Sequence, residues 1–251
     1  MDRQFYIEYY DLERNHWWFK ARLQILESTF KKHIGDKRKL KILNVGVATG
    51  ATTEMLQKFG DVTSLEYDKE CCAFLKEKTG IDAVNASLTD LPFTSDEFDV
   101  VCAYDVIEHI EADELAIKEI YRVLKSKGQY VITVPAYQFL WSNHDVVNHH
   151  YRRYTKAALV NKVSSATFTA EYTTYFNTLL FPPIALVRFL LNLLPKGKTN
   201  KTSGSDNEVL SSSGLLNKIL YQIFKSEDKI LSKKVSLPFG VSMDHTQKLC
   251  L

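Results

Sequence analysis

The chain has 251 residues, 45% hydrophobic and 25% charged, which is the balance of a folded globular protein and excludes a disordered or collagen-like one. Its formal net charge is only +2, so bulk electrostatics give no footprint for nucleic acid. The opening stretch, Met1 to Tyr10, carries acids and tyrosines where a secretory signal would need a basic and then an apolar stretch.

Asn15 to His33 reads as the first helix. Trp18, Arg22, Ile25 and Glu27 lie along it, and Lys31, Lys32 and His33 suit the negative end of its dipole. Trp17 and Trp18 are large aromatics: one suits docking this helix on a core, and the other suits a lid over a pocket. Gly35 and Asp36 end it, and short apolar runs then alternate with helical stretches. Leu40–Val45 is a buried strand closed by Gly46, and Thr52–Phe59 is a helix stopped by Gly60. Val62–Glu66 is a strand, Glu70–Lys78 a helix with Gly80 behind it, and Ala83–Asn85 a short strand. Phe98–Tyr104 is a long apolar strand, Ala112–Leu124 a helix, and Tyr130–Val134 a strand closed by Pro135. This alternation with glycine punctuation predicts an α/β chain with a doubly wound, mostly parallel sheet.

Beyond Pro135 the pattern changes. Trp141–Tyr154 is rich in His, Arg and aromatics and has no clear period. Thr167–Tyr175 alternates as a strand does, Phe176–Leu194 is almost wholly apolar, and Lys196–Asn207 is a polar loop. Leu215, Leu216, Ile219, Leu220, Ile223, Phe224, Ile230 and Leu231 mark one face of an amphipathic helix, and Leu237–Leu251 offers a last strand. The chain is therefore read as one domain over 1–251: an N-terminal helical segment (1–35), an α/β core (36–175), a helical insertion (176–234) and a final strand (235–251). Cys71, Cys72, Cys102 and Cys250 form no CxxC pair and read as reduced thiols of a cytoplasmic protein.

The chemistry concentrates in Ile42-Leu43-Asn44-Val45-Gly46-Val47-Ala48-Thr49-Gly50, where a strand runs through a turn of small residues into a helix. Small residues let a ligand approach the backbone, and the helix N-terminus offers free N–H groups. Glu66 follows Gly46 by twenty positions, at the end of the next strand, where a carboxylate can accept from both ribose hydroxyls of a nucleoside. A dinucleotide site wants glycine where Ala48 and Ala51 stand, because a pyrophosphate presses on the loop, and this counts against an NAD(P)-dependent oxidoreductase.

The loop and Glu66 are followed in order by Leu91-Pro92-Phe93, Phe98-Asp99-Val100-Val101, Asp105-Val106-Ile107-Glu108-His109 and Lys127-Gly128-Gln129-Tyr130-Val131-Ile132-Thr133-Val134-Pro135. Together they resemble the class I S-adenosylmethionine-dependent methyltransferases. The resemblance implies a Rossmann-like fold, S-adenosyl-L-methionine as cofactor, and a cofactor site of Asn44, Gly46, Ala48, Gly50 and Glu66. It implies that Ser87 and Leu88 flank the adenine and that Asp105 closes the pocket beyond the fourth strand. The sequence departs from the family at Asn44, Val47 and Ala48, where Asp, Cys and Gly are usual. Asn keeps an acceptor but loses the charge that would hold a methionine amino group, and Ala48 adds a methyl at the tightest part of the turn. These two positions keep open a catalytically weak, cofactor-binding protein.

Trp141-Ser142-Asn143-His144-Asp145 and His150-Tyr151-Arg152-Arg153-Tyr154 follow the fifth core strand. Ligands of doubly wound sheets sit beyond the carboxyl ends of the strands, so this segment is placed to meet the methyl acceptor. His144 or His150 suits a general base for a hydroxyl acceptor, and Arg152 and Arg153 suit a clamp on phosphate or carboxylate. Trp141, Asp145 and Tyr154 complete the candidate acceptor contacts. The same residues also read as structural polar contacts, with the arginines paired to Asp145. His144, Asp145, His149 and His150 all carry ligand atoms but in no diagnostic spacing, so no metal is expected. Glu108 and His109 read as part of the rim or as structural.

His16-Trp17-Trp18-Phe19 with Arg22, the two His-containing pieces, and Leu237-Pro238-Phe239-Gly240-Val241-Ser242 resemble a subgroup of bacterial methyltransferases associated with surface polysaccharide or glycolipid assembly. That resemblance implies O-methylation of a saccharide or lipid-linked saccharide. The apolar stretch bears on the lipid. Pro182 and Pro183 interrupt one continuous helix, and the twelve residues from Pro183 to Leu194 make about 18 Å of helix against a ~30 Å hydrocarbon core. Two readings stand: a hairpin with the amphipathic helix after Gly214, or a peripheral contact at the inner face of a membrane, favoured on an anionic surface by Lys196, Lys198 and Lys201.

Overall fold

The computed structural model describes residues 3–35, 39–164, 168–193, 214–233 and 235–249. Two helices, α1 (Arg3–Asn15) and α2 (Trp17–Ile34), meet at His16. The His16 backbone is extended and its imidazole Nδ1 accepts from Trp18 N at 3.3 Å, capping α2. Where the periodicity predicts one helix from Asn15, the structure adds α1 in front of it. Only Tyr6 of α1 is buried, against Phe74, so α1 lacks the apolar stripe that betrays a packed helix.

The core alternates as expected: β1 (Leu40–Val45), α3 (Ala51–Leu56), β2 (Gly60–Glu66), α4 (Lys69–Thr79), β3 (Ala83–Asn85), β4 (Phe98–Tyr104), α5 (Asp113–Val123) and β5 (Leu124–Pro135). The short α6 (Asn143–Val147) and α7 (Lys156–Ser164) lead to β6 (Phe168–Phe176), α8 (Phe181–Leu193), α9 (Leu215–Ser226), α10 (Asp228–Leu231) and β7 (Ser242–Leu249). The strands form one sheet in the order β3-β2-β1-β4-β5-β7-β6. β1 to β5 pair in parallel, while β7 runs antiparallel to both β5 and β6. This is the Rossmann-like, mostly parallel architecture that the alternation predicts.

The central strands are apolar on both faces, because helices cover both. On one face Leu43, Val45, Val101, Ala103 and Ile132 pack against Ala116, Ile117, Ile120 and Val123 of α5. On the other, Ile42, Val100, Cys102 and Val131 meet Leu26, Phe30 and Ile34 of α2 and Met55 and Leu56 of α3. β1 lies between β2 and β4, so its carboxyl end is the point where the strand order reverses, and the small-residue turn emerges there.

The insertion departs from expectation. Pro182 and Pro183 stand in the first turn of α8, where N–H groups have no intrahelical partner, so they start the helix rather than break it. Ile184 of α8 shares a cluster with α9, and this cluster also packs on α2: Phe224 and Leu231 are buried with Ala21, Ile25 and Phe176. α8 keeps Leu186, Val187, Phe189 and Leu190 exposed. Among the described residues no helix is long and apolar enough to cross a membrane. The last strand begins at Ser242, later than Leu237. The polar stretch Lys196–Asn207 with its three lysines, together with Leu194, Cys250 and Leu251, lies outside the described residues. Cys71, Cys72 and Cys102 are free thiols.

Candidate functional site

The turn after β1 is held open by its backbone. Gly46, Ala48 and Gly50 have φ of 64°, 46° and 93°. A Cβ on Gly46 would meet Val106 Cγ2 at 2.6 Å, so glycine is required there both for φ and for space. Ala48 holds a left-handed conformation that costs a residue with a Cβ roughly 1–2 kcal/mol. Gly46 N donates to Leu65 O at 2.8 Å, tying the turn to β2. Glu66 ends β2. Its Oε2 accepts from Ala48 N at 3.1 Å and its Oε1 from Asp68 N at 3.0 Å, which leaves lone pairs on both oxygens. Asn44 is 1% exposed; its Nδ2 donates to the Thr52 and Thr53 hydroxyls, each at 3.0 Å. Its Oδ1 is buried without a donor, an acceptor atom left over beside the turn. A carboxylate at the end of β2 and an orphan acceptor at the end of β1 fit a nucleoside carrying an amino acid.

Asp105 follows β4 with φ of 56°. Its carboxylate accepts from Arg22 Nη2 at 2.7 Å and from Thr133 Oγ1 at 2.9 Å. Arg22 is 8% exposed, so this pair pins α2 to the carboxyl ends of β4 and β5. α1 closes over the turn in the same way: the Thr49 hydroxyl donates to Glu13, and Arg14 Nη2 donates to Thr49 O at 3.2 Å and to Glu54 at 2.5 Å. Burial raises the Glu13 carboxyl, against the pull of Thr49 and Arg14. Ser87 bonds Thr89, and Leu88 is buried in the main core.

The segment after β5 loops out and returns: Tyr137 N donates to Tyr154 O at 2.8 Å and Tyr154 N to Pro135 O at 3.0 Å. Asp145, fully buried, is its hub. It accepts from Ser142 N at 2.8 Å, from Arg153 Nε at 2.7 Å and Nη2 at 2.9 Å, and pairs with His150 Nδ1 at 2.9 Å. Desolvation by burial would raise its carboxyl, but His150 and Arg153 outweigh that and hold it well below the usual range. With Nδ1–H donated to Asp145, the acceptor nitrogen of a neutral His150 is Nε2. The His150 ring stands 4.5 Å from that of His109 and 6.0 Å from that of His144, centroid to centroid.

The structure separates the acceptor-side residues read from the sequence. His144, Asp145 and His150 come together. Arg153 is engaged internally by Asp145 and Ala136 O, which matches the pairing reading of the arginines and not the clamp. Tyr154 is buried and its hydroxyl donates to Asp113 at 2.7 Å, so it supports α5 rather than facing a ligand. Arg152 pairs with Asp113 at 2.7 Å but borders a surface cavity of about 360 Å³ with Glu111, Lys118 and Lys162. Trp141 is half-buried at the start of the loop. Glu13 and Asp113 were not legible as site residues, since their partners lie far away in sequence. Glu108 is fully buried and neither carboxylate oxygen has a hydrogen-bond partner. Burial, then the nearby Asp105, raise its carboxyl well above the usual range.

Residues 43–132 match the model of a methyltransferase domain. The chain is 34% identical over 131 residues to an uncharacterised protein of Methanocaldococcus jannaschii, covering 51% of this chain and 58% of that one. It is 31% identical over 132 residues to 2-methyl-6-phytyl-1,4-hydroquinone methyltransferase 1 of Oryza sativa subsp. japonica, covering 50% and 39%. The chain spans about half the length of the curated relatives it matches. In fold it is similar to a solved SAM-dependent methyltransferase from Archaeoglobus fulgidus, with a TM-score of 0.56 and 14% identity over 90% of this chain and 94% of that one.

Proposed function

We propose that the chain is a class I S-adenosylmethionine-dependent methyltransferase and that it methylates an oxygen of a saccharide or lipid-linked saccharide. S-adenosyl-L-methionine supplies an electrophilic methyl group when bound. Glu66 accepts from the ribose hydroxyls, Asn44 Oδ1 from the methionine amino group, and Gly46, Ala48 and Gly50 let the cofactor approach the backbone. Ser87 and Leu88 flank the adenine, and Asp105 closes the pocket with Arg22 behind it. The 1–35 segment works as part of the same domain, since α1 and α2 close over the turn.

The observation that carries the oxygen acceptor is the Asp145–His150 pair. A buried carboxylate orients an imidazole at the carboxyl end of the sheet, beside His144, where a hydroxyl proton must be received. Arg152 and Trp141 border the acceptor. The exposed apolar side chains of α8 suit an acceptor with a lipid portion and a cytoplasmic enzyme resting on the inner face of a membrane.

Calorimetric titration with S-adenosylmethionine tests the cofactor site. Glu66→Ala loses charge-assisted hydrogen bonds worth about 1.5–3 kcal/mol each, so its affinity falls by at least about tenfold. Unchanged affinity in the folded variant removes Glu66 from the site. A panel of saccharides, lipid-linked saccharides and a prenylated hydroquinone tests the acceptor. Turnover of the hydroquinone alone replaces the saccharide reading with that of the rice relative. Cofactor binding with no turnover on any acceptor leaves a cofactor-binding protein.

A further inference from the structure

One group of side chains has a composition that a proton relay does not need. A carboxylate oxygen of Glu108 and ring nitrogens of His109 and His150 all lie within 4.8 Å of one another. They come from two places: the short turn Ile107–His109 that follows Asp105, and the loop after α6. The backbone locks these two together, since Tyr151 N donates to Glu108 O at 2.7 Å.

Glu108 is the telling member. It is 0% exposed, neither of its oxygens has a hydrogen-bond partner, and it is turned toward two imidazoles. A buried carboxylate left this way is costly unless something cationic meets it. Arg22 and Arg153 are the nearby cations, but Arg22 bonds Asp105 and Thr133, and Arg153 bonds Asp145. The second imidazole is also prepared. Asp145 takes the Nδ1 side of His150 and turns Nε2 outward, which is the carboxylate–histidine support typical of a metal ligand. His109 lies exposed, so the group opens to solvent on one side.

We propose that Glu108, His109 and His150 bind a divalent transition cation, and that this cation holds the acceptor oxygen. One carboxylate and two imidazoles, with open positions, suit zinc, manganese or iron(II) rather than magnesium or calcium. Bonds of about 2.1 Å in a tetrahedral arrangement place donor atoms roughly 3.4 Å apart, inside the span these three side chains share. Glu108 stands three residues beyond Asp105, and His150 belongs to the His–Arg loop. A hydroxyl bound there is acidified by the cation. Its O–H bond breaks with the electron pair kept by oxygen; with His150 held by the cation, the proton passes to His144, the other candidate base, in place of His150. The binding of the cation stands on the side chains alone; its role rests on the oxygen-methylation reading above.

The test is calorimetric titration of the full chain, stripped with chelator, with zinc and then cobalt(II), in the absence of cofactor and acceptor. Cobalt adds a visible absorption band that reports nitrogen and oxygen ligation. The expected result is one saturable equivalent for the wild type, weakened in Glu108→Gln and His109→Ala by more than the ~10–100-fold that loss of an outer partner costs. His144→Ala binds as the wild type does. S-adenosylmethionine affinity and the melting curve are measured on the same samples, so a variant that fails to fold is recognised and the His109 variant then decides. Absence of saturable binding in the wild type, or equal binding in the Glu108 and His109 variants, overturns the site. Cation binding without saccharide turnover overturns the acceptor reading and leaves the site standing.

Discussion

Replacing Asp244 by Asn removes a carboxyl group from a place where its charge is costly. Asp244 stands on β7 in a row with Tyr104 of β4, Thr133 of β5 and Thr174 of β6. It is 1% exposed. Burial pushes its carboxyl from 3.8 up to about 6, while the Thr29 hydroxyl, the Arg22 guanidinium and the His245 backbone pull it down. Tyr104 and Cys102 face it from β4, and burial raises both, so they stay neutral around it. The folded chain thus keeps a proton that the unfolded chain has already lost. Stability from this group is complete below the unfolded value and is lost as pH rises through about 6. At about 1.4 kcal/mol per pH unit the full loss is about 3 kcal/mol, roughly half of it between about pH 5 and about pH 8. Urea unfolding of wild type and Asp244→Asn at several pH values reads this directly. The stability difference should move in favour of the variant by about 1.5 kcal/mol from about pH 5 to about pH 8. A difference that stays constant with pH, or that turns toward the wild type as pH rises, refutes the buried carboxylate.

Two further outcomes follow from packing and exposure. Gly46→Ala should weaken cofactor binding and lower the melting temperature, because its Cβ meets Val106 at 2.6 Å. Adding Val106→Ala should recover the clash but not the roughly 1–2 kcal/mol of left-handed strain, and a double variant no better than the single one removes the clash from the account. On α8, exposed Val187 and Phe189 should carry the chain into the pellet with anionic vesicles, and Val187→Asp with Phe189→Asp should leave it in the supernatant. Equal sedimentation of wild type and variant rules out α8 as the contact.

The parallel half of the sheet was legible because four of its strands, β1, β2, β4 and β5, are largely apolar runs ended by a glycine, proline or acid, and that pattern is local. β5 begins at Leu124, ahead of Tyr130, because Leu124 already faces Phe98 of β4; the register then shifts past the polar Lys125-Ser126-Lys127 stretch and resumes with Gln129 opposite Val100. The placing of β7 between β5 and β6 leaves no trace in periodicity, since either order satisfies the same alternation. α1 is held by scattered polar contacts, such as Arg3 to Glu77 and Arg14 to Glu54, which a reading of apolar spacing passes over.

The site divides along the same line. The glycine turn and Glu66 were readable because backbone conformation and a fixed strand spacing impose them. The Arg22–Asp105 pair joins residues 83 positions apart and was not. Arg152 and Arg153 look alike in sequence, yet consecutive side chains diverge. One reaches fully buried Asp145, and the other stays at a surface cavity. Glu108 sharpens the point. Its sequence context suggests a rim or a structural contact. Burial without a partner is a three-dimensional fact, and it changes what the same glutamate can do. A buried, paired carboxylate such as Asp145 fixes a shape; a buried, unpaired one beside two imidazoles is poised for a cation.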